Sequence, residues 1–184
     1  MEIKWSLQEL LKKVNEVLEF SHILQVEDEL KTREKEILAV SDVTVNGTIS
    51  VLKEEFILSY NMEYFLTLPS SRSLIPVKKL FSIQVTEVFM TKESFEQKKL
   101  EDLEEEVLII EANTLSLSES VKDNILLEIP LKVLTEEEEH TTHLPKGQDW
   151  EVISEEGFKS RSKQSEEEAT SPFSGLEDLF KEDE

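Results

Sequence analysis

The sequence predicts an α+β fold in which a curled, mainly antiparallel β-sheet packs against one longer helix; the pattern is also compatible with a barrel-like closure. Two observations support this class, and a third divides the chain. Residues 37–90 alternate between apolar and polar with a period close to two, which is typical of strands with one buried face. Residues 118–129 instead place their apolar side chains on one helical face. After Leu134 the chain becomes acidic and polar, so we expect a domain over residues 1–134 and an acidic, largely flexible tail over residues 135–184.

The N-terminal region predicts a short helix followed by a strand. Residues 5–14 form a short amphipathic pattern, in which Ser6 and Glu9 have the spacing of a capping box. A strand is predicted over residues 17–26. The charged run at residues 27–36 is interpreted as a linker or an exposed helical turn whose charges face solvent.

The centre of the chain predicts three strands. In residues 43–51 the apolar alternation includes Gly47 at an inward position, as at a bulge or where two backbones approach closely. Residues 56–68 place seven apolar side chains in strict alternation, which indicates a strand with one buried face. In residues 77–90 the alternation slips towards the end, and a bulge near residues 86–87 would explain the slip.

A further strand and the main helix complete the predicted domain. Residues 107–110 are apolar on both faces, as in a strand that is covered from two sides. A short strand then turns directly into the helix at about residues 118–129, where Ser116 is the predicted N-cap with Glu119 at capping-box spacing. Pro130 stops the helix because it lacks a backbone N–H. One apolar stripe runs along it: Leu117, Val121, Ile125 and Ile129.

The charge of the chain favours basic partners. The formal net charge is −21 over 184 residues, and residues 135–184 carry 16 acidic and 5 basic residues, a net charge of −11. Nucleic-acid binding gains free energy when Lys and Arg replace the counterions of phosphates, so a surplus of this sign opposes non-specific binding. We therefore expect partners such as basic ribosomal proteins.

The composition also indicates the cellular compartment of the protein. The chain has no cysteine, which excludes disulfides and thiolate metal sites and is consistent with a reducing cytosol. The N-terminus has no uninterrupted apolar segment, and no window approaches 18 apolar residues. We expect a cytoplasmic protein without a signal peptide or a membrane span.

No motif for catalysis or for a cofactor is found. The four glycines are scattered, so no phosphate-binding loop is present. A Ser-His-Asp triad is not excluded by composition, but His22 lies in a predicted strand without a nucleophile motif. His140 and His143 form an HxxH pattern, which we interpret as part of a solvated acidic run because the intervening threonines are poor helix formers. We expect no enzymatic activity, no metal, no cofactor and no small-molecule substrate.

One basic segment interrupts the acidic background. No acidic residue lies between Glu63 and Glu87, while Arg72, Lys78 and Lys79 lie in or beside a loop bracketed by prolines. These cations could contact RNA phosphates or an acidic group of a partner. They could equally be ordinary loop charges that are balanced by neighbours in space. The second interpretation is favoured because three cations supply little affinity for phosphate against so negative a background.

Several segments together resemble a known family. An early Trp5 is followed by leucines, VTVNGTI (43–49) resembles a V-x-V-x-G strand, and LTLPSSRSLIPV (66–77) resembles a T-L-x-C-x-R-C-L loop. LSLSESVKDNILLEIPLK (115–132) resembles the signature I-D-L-x-x-x-V-x-E-x-I-L-L-x-L-P, and SPFSGLEDLF (171–180) resembles a terminal D/N-P-x-x-x-L-x-x-L motif. On these segments the chain resembles the YceD family, the large ribosomal RNA subunit accumulation proteins, and most of all its versions from low-GC Gram-positive bacteria.

The resemblance assigns residues of this chain to two family motifs. The chain also departs from the family pattern at positions where relatives carry cysteine. The signature helix corresponds to Val121, Ile125, Leu126, Leu127 and Pro130, and the C-terminal motif, which could dock on a partner, to Pro172, Phe173, Leu176 and Leu179. Family members often carry cysteine at the positions of Ser70 and Ser73 and again downstream of the helix, which suggests a metal-binding knuckle. This chain has none, so the resemblance implies that packing and hydrogen bonds hold the loop.

The resemblance implies a function in the accumulation of large-subunit ribosomal RNA. The family's gene commonly lies beside one for a small basic ribosomal protein of the large subunit, and the resemblance supplies no catalytic residues. We therefore expect a non-catalytic factor for ribosome assembly that binds a basic ribosomal protein or a pre-ribosomal particle. The alternative is direct binding of ribosomal RNA through Arg72, Lys78 and Lys79, with any RNA contact otherwise weak or indirect.

Overall fold

The computed structural model describes residues 2–97, 107–110, 112–140, 147, 151–153 and 158–159. The chain divides into two units, Met1–Thr135 and Glu136–Glu184, and each is described by itself. The elements of the first unit are β1 (Lys4–Ser6), α1 (Leu7–Leu10), a 3-10 turn (Leu11–Lys13), β2 (Val17–Leu24), α2 (Glu27–Arg33), β3 (Ala39–Val40), β4 (Val43–Val51), β5 (Glu55–Pro69), β6 (Pro76–Thr91), α3 (Lys92–Gln97), β7 (Val107–Ile110), β8 (Thr114–Ser116) and α4 (Leu117–Leu127). In the described part of the second unit, residues Glu136–His140 form helix α5.

The main sheet has six strands and is antiparallel except at one edge. Its strand order is β2-β4-β5-β6-β7, and β3 pairs with β5 beside the end of β4. Strands β6 and β7 are parallel, while β1 and β8 form a separate antiparallel pair. The α+β class and the mainly antiparallel sheet are therefore confirmed.

The barrel-like closure is wrong. Strands β2 and β7 lie at opposite edges of the sheet and do not pair with each other in the described part of the chain. Helices cover the apolar face of the sheet instead, because buried side chains of α1, α2 and α4 belong to the same hydrophobic cluster as those of β4 and β5.

Strand β5 forms the centre of the core. Its alternate side chains from Phe56 to Leu68 are at most 4% exposed, as the strict alternation in the sequence predicts. Helix α4 adds three side chains that are fully buried: Leu117, Val121 and Ile125. Burying a side chain of this kind stabilises the fold by about 1.5–3 kcal/mol. This packing holds a helix of 11 residues that would be marginal on its own.

The ends of α4 follow local chemistry. The Ser116 Oγ accepts a hydrogen bond from the backbone N–H of Glu119 at 3.3 Å and so caps the first turn. The helix ends at Leu127, two residues before the predicted end, and Ile129 packs against the core from outside it.

The N-terminal segment differs from the predicted helix over residues 5–14. Lys4–Ser6 is a strand in which Trp5 lies opposite Leu115, and the Leu7 N–H donates to the Asn113 carbonyl at 3.0 Å. Helical structure is limited to α1 and the turn after it, and the Ser6 side chain makes no capping hydrogen bond. Pairing with a segment more than 100 residues away explains the difference, because it takes the first residues out of the helix.

The charged run at residues 27–36 is not a linker. Its first seven residues form helix α2, as the helical alternative predicted, and Leu30 of this helix is 0% exposed and belongs to the core. Its charged side chains also reach α4, as described below. None of the helices in the described residues has the length and apolar character that crossing a membrane requires.

Candidate functional site

The candidate site lies where helix α4 contacts strands β5 and β6. The Ser120 Oγ donates a hydrogen bond of 2.5 Å to the Glu87 Oε2, and the Asn124 Nδ2 donates one of 2.7 Å to the Glu87 Oε1. The Tyr60 hydroxyl lies 2.8 Å from the Ser120 Oγ and 3.3 Å from the Asn124 Nδ2. Ser120 and Asn124 are four residues apart and so share one face of α4. Helix α4 therefore holds both carboxylate oxygens of Glu87, and Tyr60 of β5 contacts the two side chains that do so.

The direction of these hydrogen bonds follows from the number of protons. Ser120 donates its only hydroxyl proton to Glu87, so the Tyr60 hydroxyl donates to Ser120. Burial raises the pKa of Tyr60 above its ordinary value, and the hydrogen bond to Ser120 offsets only part of that rise. Tyr60 therefore keeps its proton at neutral pH. Glu87 receives hydrogen bonds from two neutral side chains, and no described residue forms an ion pair with it.

A cavity of about 630 Å³ opens beside Glu87. Both apolar and polar residues line it: Phe89, Leu108, Ile109, Ile110, Ala112 and Leu115, with Glu2, Lys4, Glu87, Thr114, Ser116, Glu119, Ser120 and Asp123. Leu108 and Ile109 of β7 are 42% and 43% exposed. The prediction that this strand is covered from two sides is therefore wrong, because these consecutive residues lie on opposite faces of an edge strand and each is partly accessible.

A second cluster, formed by ion pairs, joins α2 to α4. The Lys122 side chain is 3% exposed and pairs with Glu119 at 2.6 Å and with Glu29. The Arg33 guanidinium bridges Glu119 at 2.5 Å and Asp123 at 2.7 Å. Glu119 and Asp123, which also line the cavity, are therefore both engaged in ion pairs, although the cluster sets two cations, Lys122 and Arg33, against three carboxylates.

The protonation states of this cluster favour the ion pairs. Burial acts to lower the pKa of Lys122, but the hydrogen bonds with Glu119 and Glu29 outweigh it and raise the pKa above its ordinary value. Hydrogen bonds from Lys122 and then Arg33 lower the pKa of Glu119. Both groups are therefore charged at neutral pH, and the cluster fixes α2 against α4.

The cations proposed from the sequence as an RNA contact face different ways. Lys78 and Lys79 are consecutive in β6 and so point to opposite faces of the sheet. The Lys78 ammonium lies 4.4 Å from the centre of the Phe65 ring, whereas Lys79 lies opposite Leu66 on the core face. Arg72 is exposed in the loop between β5 and β6. The structure does not bring Lys78 and Lys79 together on one surface.

The loop that contains Arg72 is held by serine hydroxyls. Ser70 is fully buried, and its Oγ accepts hydrogen bonds from the backbone N–H groups of Arg72 at 3.1 Å and Ser73 at 3.3 Å. The Ser71 N–H donates to the Val133 carbonyl at 2.7 Å, and the Ser71 Oγ accepts the Val133 N–H at 3.0 Å. The loop is thus tied to the segment that follows α4.

The signature residues of α4 have two different environments. Val121 and Ile125 are fully buried, and Leu126 packs against the core. Leu127 is 80% exposed, and Pro130 follows the end of the helix. Most of this motif is therefore explained by packing.

Three sets of predicted residues lie outside the described part of the chain. They are the C-terminal motif of Pro172, Phe173, Leu176 and Leu179, the residue His143, and the side chain of His140. In the described ranges no group of three or more His, Asp or Glu side chains is placed to hold a metal ion.

Sequence reasoning missed Glu87 and its partners, although a signal was present. The slip in the alternation of β6 was attributed to a bulge near residues 86–87, but β5 and β6 pair one to one, with Ser59 opposite Thr86 and Leu58 opposite Glu87. The bulge is therefore wrong. The slip instead marks an acidic residue at an inward position, where Ser120 and Asn124 satisfy its carboxylate.

Two comparisons with known proteins agree with this reading of the sequence. Residues 58–180 match the family described as "Large ribosomal RNA subunit accumulation protein YceD". The chain is also 30% identical over 161 residues to the "Uncharacterized protein YlbN" of Bacillus subtilis (strain 168), which covers 86% of this chain and 90% of that protein. No solved structure matches the chain. The family match begins within β5, so Trp5 and the segment at residues 43–49 lie outside it.

Proposed function

Because the chain belongs to the YceD family of large ribosomal RNA subunit accumulation proteins, we propose that it supports large-subunit assembly by binding a basic ribosomal protein. The family description supports a role related to the ribosome. The proposed mechanism is holding without catalysis: the factor keeps a cationic client soluble and available until it joins ribosomal RNA. Because ribosomes assemble in the cytoplasm, that is the compartment that we propose.

The observation that carries the proposal is the distribution of charge. The net charge is −21, and residues 135–184 contribute −11 of it in little more than a quarter of the chain. A field of this sign speeds the encounter with a cationic protein and disfavours contact with RNA phosphates. We assign the first encounter with the client to this acidic tail.

The geometry of the polar cluster supports binding without catalysis. Ser120 is only 6% exposed, and its hydroxyl is hydrogen-bonded to both Tyr60 and Glu87. A nucleophilic serine would need its oxygen open to a substrate, which these two hydrogen bonds do not favour. The described side chains of the cluster are arranged to fix one another.

The alternative function is direct binding of ribosomal RNA through Arg72, Lys78 and Lys79. One observation favours it, since Phe65 beside Lys78 is 41% exposed and offers an aromatic face to a base. Against it, Lys78 and Lys79 lie on opposite faces of the sheet, so they cannot contact one phosphate path together.

The proposal is tested by pull-down and light scattering with a purified basic ribosomal protein of the large subunit at about 150 mM salt. Full-length protein should bind and should reduce aggregation of the client. A variant that lacks residues 135–184, with its folding checked by circular dichroism, should bind several-fold more weakly. If full-length protein does not bind, the proposal is wrong; if the truncated variant binds equally well, the tail has no part in it.

For the alternative, a charge reversal of Arg72, Lys78 and Lys79 is the matching experiment. Direct RNA binding predicts that this triple variant loses affinity for ribosomal RNA and that the salt dependence of binding becomes flatter. Our proposal predicts that this variant binds the ribosomal protein at least as tightly as the unmodified protein, because the reversal adds negative charge.

A further inference from the structure

We propose that the cavity beside Glu87 receives a lysine or arginine side chain of the basic protein partner. This inference rests on the proposed function and adds a specific contact in the first unit to the general attraction of the tail. The observation that carries it is the carboxylate of Glu87, which has neutral hydrogen-bond donors and no ion-pair partner among the described residues. This carboxylate lies at the wall of a cavity that apolar residues also line.

Among the carboxylates that line the cavity, Glu87 differs in having no ion-pair partner among the described residues. Glu2 pairs with Lys4 at 3.2 Å. Arg33 pairs with both Glu119 and Asp123. Glu119 also pairs with Lys122. Glu87 is half-buried in β6 and receives its two hydrogen bonds from Ser120 and Asn124. A desolvated carboxylate gains most from a cation that can approach it, and the open side of the cavity provides the approach.

The position of Glu87 is fixed before a partner arrives. Ser120 holds one carboxylate oxygen at 2.5 Å and Asn124 holds the other at 2.7 Å, while Tyr60 donates to Ser120 from the buried face of β5. Because the carboxylate is already oriented, little side-chain entropy is lost when a cation binds it.

Apolar residues of the cavity fit the stem of a basic side chain. Leu108 is 42% exposed and lies beside Phe89, which is two residues from Glu87 in β6, so these three side chains share one face of the sheet. Lysine and arginine bury aliphatic stems along apolar surface while the charged end reaches a polar group. A volume of about 630 Å³ leaves room for such a side chain and its neighbours in a protein segment.

The experiment measures the affinity of full-length protein for a fluorescein-labelled basic ribosomal protein of the large subunit. Glu87→Gln removes the charge with little change in shape, and Glu63→Gln removes one charge from an exposed position of β5 outside the cavity. Glu87→Gln should weaken binding at least about tenfold, and Glu63→Gln less than about twofold.

A second pair of variants tests the apolar residues of the cavity. It also gives a test of the cavity that does not depend on the folding of Glu87→Gln. Leu108→Ser should weaken binding at least about threefold. Leu38→Ser changes a leucine of matched exposure, 41%, that does not line the cavity, and should leave the affinity unchanged.

The outcomes separate this inference from the proposed function. If the unmodified protein binds and both cavity variants match their controls, the inference is overturned while the proposed function stands. If the unmodified protein does not bind the client, the proposed function fails and this inference fails with it. Light scattering without client supplies a further check: a dimer that Glu87→Gln dissociates would identify the occupant as a second copy of the chain and overturn the assignment.

Discussion

The hydroxyl groups of Tyr60 and Ser120 lie 2.8 Å apart, and this buried hydrogen bond joins the central strand to the face of α4 that carries the candidate site. Four residues further along β5, Tyr64 presents a second hydroxyl to the same side of the sheet. That hydroxyl is buried and makes no hydrogen bond within the described residues. The two tyrosines are a matched pair, because they differ in whether their hydroxyl is satisfied.

The first prediction compares these two hydroxyls. Tyr60→Phe should lower the free energy of unfolding by about 1–2 kcal/mol, because it removes the hydrogen bond to Ser120 inside the fold. Tyr64→Phe should be neutral or stabilising by up to about 1 kcal/mol, because it removes a buried polar group without a partner. Urea denaturation of both variants checks this. If the two variants lost the same free energy of unfolding, the hydrogen bond between Tyr60 and Ser120 would add no stability beyond that of an unpaired hydroxyl.

The second prediction concerns the signature helix. Ile125→Ala should destabilise the protein by about 2–5 kcal/mol, because the side chain is fully buried and its removal leaves a cavity. Leu127→Ala should change stability by less than about 0.5 kcal/mol, since Leu127 is 80% exposed. Thermal denaturation of the two variants measures both effects. If Leu127→Ala keeps stability but weakens client binding, Leu127 has a contact role in addition.

The third prediction concerns Gly47, where two strands approach closely. A Cβ at this position would lie 2.3 Å from the Ser59 carbonyl oxygen and 2.5 Å from the Tyr60 Cβ. Gly47→Ala should therefore destabilise the protein by about 1–3 kcal/mol or more, because the backbone of β5 must shift. Thr44→Ala, at an exposed position of the same strand, is the control and should change stability by less than about 0.5 kcal/mol. A Gly47→Ala variant as stable as the control would contradict this close approach.

The fourth prediction concerns the buried ammonium of Lys122. Lys122→Met should cost less than about 1 kcal/mol, because its partners Glu29 and Glu119 are 60% and 45% exposed and can regain water. Replacing both glutamates by alanine should cost about 3–5 kcal/mol, because it leaves a buried cation without a partner. Urea denaturation compares the two changes. A larger loss in Lys122→Met than in the double variant would reverse this account.

The fifth prediction gives the pH dependence of the same cluster. The pKa of Glu119 is lowered from its ordinary value of 4.5 in the folded state, so its charge stabilises the fold at pH values above the unfolded pKa. That contribution is lost as the pH falls through the folded pKa. The difference in unfolding free energy between the unmodified protein and Glu119→Gln should therefore be largest at pH values above 4.5 and should shrink as the pH falls below 4.5. A difference that is constant over this range would exclude the ion pairs as its source.

What the sequence predicts well is local. The alternation in β5 and the stripe of α4 are visible because a strand repeats every two residues and a helix every 3.6. The N-cap at Ser116 is also a local signal, since its partner Glu119 lies three residues away. Such features need no knowledge of the rest of the fold.

What the sequence does not predict depends on residues that are distant along the chain. Glu87 lies 33 and 37 residues from Ser120 and Asn124, and Arg33 lies 86 residues from Glu119. From the sequence alone, Glu87 therefore looks like an irregularity in strand β6. The charged residues of α2, Arg33 among them, likewise look like side chains that face solvent. The N-terminal strand was missed for the same reason, because it pairs with β8 far along the chain.

The central proposal is that this protein binds a basic ribosomal protein in preference to RNA and does not cleave RNA. Fluorescence anisotropy at about 150 mM salt tests it most directly, with full-length protein titrated in parallel into a labelled basic ribosomal protein and into labelled large-subunit ribosomal RNA. The account predicts a Kd for the ribosomal protein that is at least about tenfold lower than the Kd for the RNA. Tighter binding of the RNA, or its cleavage during the titration, would contradict the account.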